Sequence, residues 1–97
     1  MHDLTAFQRD LLYAISCHDR PHGVQIREHL ESYYPEDINN GRLYPNLNEL
    51  VEKGLVDKGS IDDRTNCYLL SRAGRQKLLA RRQWENQRLP ERHPATP

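Results

Sequence analysis

Apolar residues at helical spacing open the chain. Phe7, Leu11, Leu12 and Ile15 recur every three or four positions, with Leu4 just ahead, and so share one face of a first helix. Thr5 followed by Gln8 fits a capping box, in which each side chain satisfies a backbone N–H of the other, so the helix starts near Thr5. The run "CHDRPHG" ends it, because its polar residues, Pro21 and Gly23 predict a turn. A second helix follows from Pro21 or His22 to Tyr34, with Val24, Ile26, Leu30 and Tyr33 on its apolar side. Pro35 stops it, since the residue before a proline avoids the helical region.

The stretch "GRLYPNLNELVEKGLV" carries a third helix. Leu43, Leu47, Leu50 and Val51 lie on one face. Asn39 and Asn40 are good capping residues, since their side-chain oxygens accept the free amide hydrogens of a first turn. Pro45 is tolerated within that first turn, and Gly54 suits the left-handed position just past a helix end. The periodicity then changes to two. "LVDKG" and "CYLLS" read as strands joined by the polar loop "SIDDRTN". Ser71 caps a last helix over residues 72–88, whose large apolar residues are Leu78, Leu79 and Trp84. Pro90, Pro94 and Pro97 make residues 89–97 a loose tail. The order α-α-α-β-β-α predicts one mainly α domain over residues 1–88, an α+β winged helix-turn-helix with a two-stranded wing.

Composition narrows the function. With 97 residues the chain is one domain, and with 36% hydrophobic residues its core is small. No apolar run approaches the roughly 20 residues of a membrane span, and the N-terminus lacks a signal pattern, so the expectation is a soluble cytoplasmic protein. Cys17 and Cys67 have no zinc spacing; they read as two small buried thiols, with a redox pair as the alternative. No catalytic triad order, phosphate loop or metal motif is present, so neither an enzyme, a cofactor nor a metal is expected. His18 and His22 straddle a helix end, which argues against a shared ion. The net charge is zero but divided: residues 1–71 carry −5 and residues 72–97 carry +5. Such a split fits either a nucleic-acid contact or a solvated basic helix.

Three motifs in order carry a family likeness. "LYPNLNELVEKGLV" resembles the L-Y-P-x-L-x-x-L-x-x-x-G-L-[IV] signature of PadR-like transcriptional regulators. "HGVQIREHL" resembles that family's second-helix pattern, with Val24 where an aromatic residue is common, and "CYLLSRAGRQKL" resembles its second wing strand and following helix. The short, arginine-rich chain is also similar to small archaeal and archaeal-virus members. The resemblance implies a winged-helix homodimer that binds palindromic operator DNA, usually as a repressor. Many such proteins carry a longer C-terminal helical region; only residues 72–97 follow Ser71 here.

Helix geometry then nominates residues. If Leu43, Leu47, Leu50 and Val51 face the core, Arg42, Pro45, Asn46 and Glu49 face outward. Arg42 suits guanine O6/N7 and Asn46 suits adenine N6/N7. Tyr44 either packs at the core edge or, as the resemblance implies, donates its hydroxyl to a phosphate. Asn39 and Asn40 are caps first, with a phosphate contact as the second role. Arg20, His22 and Gln25 stand at the start of the second helix, where free amides and the dipole favour phosphate. On the wing, Lys58, Arg64 and Thr65 are the backbone or minor-groove candidates. Leu79 and Trp84, with Leu4 and Phe7, are the expected dimer seam. The competing reading is a winged helix used for protein contact through its basic last helix.

Overall fold

The computed structural model describes residues 3–89 and runs α1 (Ala6–Ser16), α2 (Gly23–Glu31), α3 (Asn40–Glu52), β1 (Val56–Ser60), β2 (Asn66–Leu70) and α4 (Arg72–Arg88). This is the predicted element order of a winged helix-turn-helix. The strands β1 and β2 pair antiparallel, with Val56 opposite Leu70 and Ser60 opposite Asn66. A single bridge, His22 to Cys67, ties the start of α2 to β2. The expected tail beyond Leu89 lies outside the described residues.

Local chemistry fixes the helix ends. Thr5 and Gln8 form the capping box of α1. His22 and Gln25 form a second one on α2, with the imidazole Nδ1 accepting the Gln25 amide at 3.3 Å. Asn39 caps α3 and Ser71 caps α4. At the end of α3, Gly54 takes φ +77°, the Gly54 amide donates to Val51 and the Leu55 amide donates to Leu50. This paired closure is what a glycine at that position permits.

Leu11, Leu12 and Ile15 of α1, Ile26 and Leu30 of α2, and Leu43, Leu47 and Leu50 of α3 meet in one core with Leu55, Val56, Tyr68 and Leu78. Ile38, in the connection before α3, is buried with them, and its amide donates to the Glu31 carboxylate at 2.8 Å. The start of α4 is pressed against the turn after α3. The Ser71 hydroxyl donates to the Gly54 carbonyl at 2.6 Å, and a side chain at Gly74 would run into the Leu55 carbonyl.

Several local expectations need correction. The second helix stops at Glu31 rather than Tyr34, leaving Tyr33 82% exposed, and Val24 faces solvent as well. Pro45 is the sixth residue of α3, past the first turn; it withdraws a donor from the carbonyl of Gly41, which is exposed to water instead. Cys17 is exposed at the end of α1, and only Cys67 is buried, under Gly59. Phe7, placed at a dimer seam by its spacing, is 5% exposed because Tyr34 and Arg42 cover it within the monomer. Leu4 is half-buried against the same core.

Among the described residues, no helix is long and apolar enough to cross a membrane, and no cluster of His, Cys, Asp and Glu is arranged to hold a metal.

Candidate nucleic-acid interface

The helix α3 has three strips outside its core face. At 100° per residue, Gly41, Pro45, Asn48 and Glu52 lie opposite Leu43, Leu47 and Leu50, and all four are exposed. Arg42, Asn46 and Glu49 form the flank toward α1. Tyr44 forms the flank toward the wing. Arg42 and Glu49 are exposed as expected and Asn46 is half-buried, but all three stand beside the outermost strip rather than on it with Pro45. Asn48 belongs to that strip, and no motif in the sequence marks it.

The α1 flank is closed by hydrogen bonds and stacking. Gln8, 3% exposed, donates from Nε2 to Asn46 Oδ1 at 3.1 Å and to Glu49 Oε2 at 2.9 Å. Asn46 in turn donates to the Arg42 carbonyl at 2.8 Å. The Arg42 guanidinium lies 3.9 Å from the Phe7 ring centroid and 5.8 Å from that of Tyr34. The Tyr34 hydroxyl donates to Asp10 at 2.7 Å, and burial, reinforced by that bond, pushes its pKa up to about 12. Arg42 and Asn46 are thus built into the α1–α3 contact in the free protein.

The other flank opens on a cleft of about 370 Å3 lined by His22, Gly23, Val24, Tyr44, Arg64, Thr65, Asn66 and Tyr68. Here the fold brings together four candidates from three distant parts of the sequence: His22, Tyr44 and the wing pair Arg64 and Thr65. Tyr44 is half-buried with its ring against Gly23, where a side chain would collide with the phenol. The packing reading of Tyr44 is the one seen here, with the phenol against Gly23 at the start of α2.

Asn39 spends its side chain on the Arg42 amide at 2.9 Å. Asn40 accepts from Arg27 at 2.6 Å, which places Arg27 on this face as well. Arg20 is exposed ahead of α2 in a left-handed backbone conformation, φ 53°, and Gln25 is exposed one turn on. The wing tip is ordered by Asp62, whose carboxylate accepts the Arg64 and Thr65 amides at 2.9 Å each. The Arg64 amide foremost holds that carboxyl below its ordinary pKa. Lys58 is exposed on β1.

The helix α4 contributes less free charge than its composition suggests. Lys77 pairs with Asp3 at 3.2 Å and Arg81 with Glu85 at 3.1 Å. Arg81 and Arg88 flank the Trp84 ring at 4.6 and 4.5 Å. Only Gly74 and Leu78 of α4 are buried, leaving Leu79 48% and Trp84 46% exposed.

Residues 11–80 match the model of the transcriptional regulator PadR-like family. Among solved structures, RosR of H. salinarum is 41% identical, with a TM-score of 0.87 over 94% of this chain and 82% of that one. A mutant MarR from E. coli complexed with operator DNA is 27% identical, with a TM-score of 0.78 over 91% of this chain and 60% of that one. A winged-helix DNA-binding protein from STIV shares the fold at a TM-score of 0.75 and 14% identity, over 93% of this chain and 98% of that one. No curated protein matches the chain by sequence.

Proposed function

The chain belongs to the transcriptional regulator PadR-like family, and on that premise we propose that it is a sequence-specific DNA-binding repressor acting on palindromic operators as a homodimer. The observation that carries this reading is the shared face of α3 and the wing. The exposed strip Gly41, Pro45, Asn48 and Glu52 lies beside the cleft where His22, Tyr44, Arg64 and Thr65 meet. One helix can then enter a major groove while the wing and the α2 start follow the backbone. The MarR relative complexed with operator DNA supports the same use of the fold.

Magnitudes sort the candidate readers. Arg42 gives up a cation–π contact worth about 0.5–1 kcal/mol at a partly exposed site, and a bidentate guanine contact returns about 1–3 kcal/mol. Arg42 therefore swings from Phe7 to the base edge. Asn46 would surrender two hydrogen bonds worth about 1 kcal/mol each for a similar return, so it stays with Gln8 and holds α3 in position. Asn48 takes the outward place assigned by spacing to Asn46. Arg20, Arg27, Lys58 and Arg64 supply phosphate contacts, as do Arg72, Arg75 and Arg82, three of the four exposed arginines of α4.

Two-fold dimers match palindromic sites. Leu79 and Trp84 are the apolar residues left open for that contact, and α4 alone forms the seam, since Phe7 is used within the monomer.

Selection of genomic fragments by the purified chain, followed by sequencing, tests the proposal. The expected product is an enriched motif of two inverted half-sites about 10 bp apart, centre to centre. Fragments indistinguishable from the input would contradict it.

A further inference from the structure

Tyr68 is the unexplained residue of the cleft. It sits in the middle of β2, opposite Lys58, and is 1% exposed. A buried tyrosine hydroxyl ordinarily finds a hydrogen-bond partner. Tyr34 does so through Asp10, whereas neither Tyr68 nor Tyr44 bonds its hydroxyl to any described residue. The Tyr68 hydroxyl is not sealed in the interior either; the fully enclosed side-chain atom without a partner is His18 Nδ1. Tyr68 lines this cleft with Tyr44, whose phenol is near enough to act on that of Tyr68, and it also borders a second, smaller cleft beside the end of α1. Burial raises the Tyr68 phenol above its ordinary pKa, and the neighbouring Tyr44 and Cys67 raise it further, so it is a neutral donor at physiological pH.

A second feature points the same way. The helix α2 ends in this cleft with its N-terminus. The capping box occupies the Gln25 amide, and Val24 presents an amide with no helical acceptor. Arg64 stands at the rim, and Asp62 is turned onto the wing's own amides. No carboxylate lines the cleft. Two phenols, a helix N-terminus and a guanidinium converge with donors and no anionic acceptor. That chemistry fits an oxyanion.

We propose that this cleft seats one phosphate group of the DNA backbone, with the Tyr68 and Tyr44 hydroxyls and the Val24 amide as donors and Arg64 at the rim. This inference rests on the DNA-binding reading and adds Tyr68 to its contact residues. A phosphate so held locks the spacing between α3 and the wing, which fixes register without reading sequence.

The test is Tyr68→Phe in the full chain, which removes only the hydroxyl. Binding to the selected operator duplex and to a random duplex is followed by fluorescence anisotropy over a salt series. The expected result is an affinity about tenfold lower for both duplexes, the loss of one hydrogen bond to a charged group. The salt slope stays the same, because no charge is removed. Arg64→Ala, by contrast, lowers the slope by about one. Thermal unfolding serves as the folding control, and Tyr68→Phe should melt with the wild type or slightly above it. A variant that folds and binds both duplexes as tightly as the wild type overturns the proposal. If the wild type binds no duplex, the DNA reading and this occupant both fail. Titration of inorganic phosphate then decides the cleft itself. A shift of the Val24 amide signal in NMR that Tyr68→Phe abolishes would assign the seat to a free phosphate, and no shift would remove the seat altogether.

Discussion

The Arg42 guanidinium rests 3.9 Å from the centroid of Phe7, joining the proposed base-reading residue of α3 to the core face of the first helix. The guanidinium lies over the face of the ring, a contact that the compact, strongly hydrated ammonium of a lysine reproduces less well. Arg42→Lys and Arg42→Ala should each lower stability by about 0.5–1 kcal/mol. For a domain of this size that is roughly 2–8 °C in Tm. Both variants should lose discrimination between operator and random duplex. Melting followed by circular dichroism, paired with binding, checks both halves.

Gln8 should prove to be the main polar tie between α1 and α3. Its amide caps Thr5 at one end and holds Asn46 and Glu49 at the other. Gln8→Ala removes half of a capping box and two cross-helix bonds, so about 1–3 kcal/mol is expected in urea unfolding. A value near zero would show that the network contributes nothing. Asn46→Ala should produce part of the same loss, and the double variant should be less destabilised than the sum, since the two residues share one bond.

Gly23 and Tyr44 should behave as a coupled pair. A methyl group at Gly23 collides with the Tyr44 phenol. Gly23→Ala alone should cost about 1–3 kcal/mol as an overpacked contact and weaken DNA binding by displacing Tyr44. Adding Tyr44→Ala should restore most of the stability and none of the binding. Equal and additive losses in a double-mutant cycle would contradict the contact.

Alkaline pH should reveal Tyr34. Its phenol is raised to about 12 in the folded chain, by burial first and by Asp10 second, against about 10 when unfolded. The folded state therefore holds that proton more tightly. This contribution is fully present below pH 10 and is lost as pH rises toward 12. Tyr34→Phe should flatten the decline in stability across that window. Asp10→Asn should flatten it only in part, because burial is the larger cause.

Trp84 and Leu79 should control association. Trp84→Ala or Leu79→Glu should shift the chain from dimer to monomer in light scattering. An unchanged dimer mass would move the seam elsewhere. The rival use of α4, as a dock for an acidic protein, predicts instead a monomer that these variants leave unchanged.

How far these features could be read in advance depended on their range. The caps at Thr5, Asn39 and Ser71 and the stop at Gly54 are local, since each involves residues three to five apart, and the sequence displays them directly. The core strip of α3 follows from periodicity alone. The two flanks do not. Arg42 and Asn46 have the composition of a reading face, and only the packing of α1, 38 residues away from Asn46 at Gln8, engages them: Asn46 is half-buried, and Arg42, though exposed, lies over Phe7. Phe7 looked like a seam residue for the same reason, since periodicity gives a face and not the neighbour that covers it. Tyr68 gave no signal, because an aromatic residue in a strand reads as core. Its unpartnered hydroxyl emerges only when Tyr44 and the α2 start are set beside it.

The most direct test of the central claim is fluorescence anisotropy with the DNA upstream of the chain's own gene and a random duplex of equal length, over a salt series, for the wild type and Arg42→Ala. The account predicts that the wild type binds the upstream DNA at least about tenfold tighter, the ~1.4 kcal/mol that one base contact supplies. It also predicts that Arg42→Ala binds both duplexes alike. Equal, weak binding of both duplexes by the wild type, with the same salt slope, would contradict the claim that α3 reads this operator.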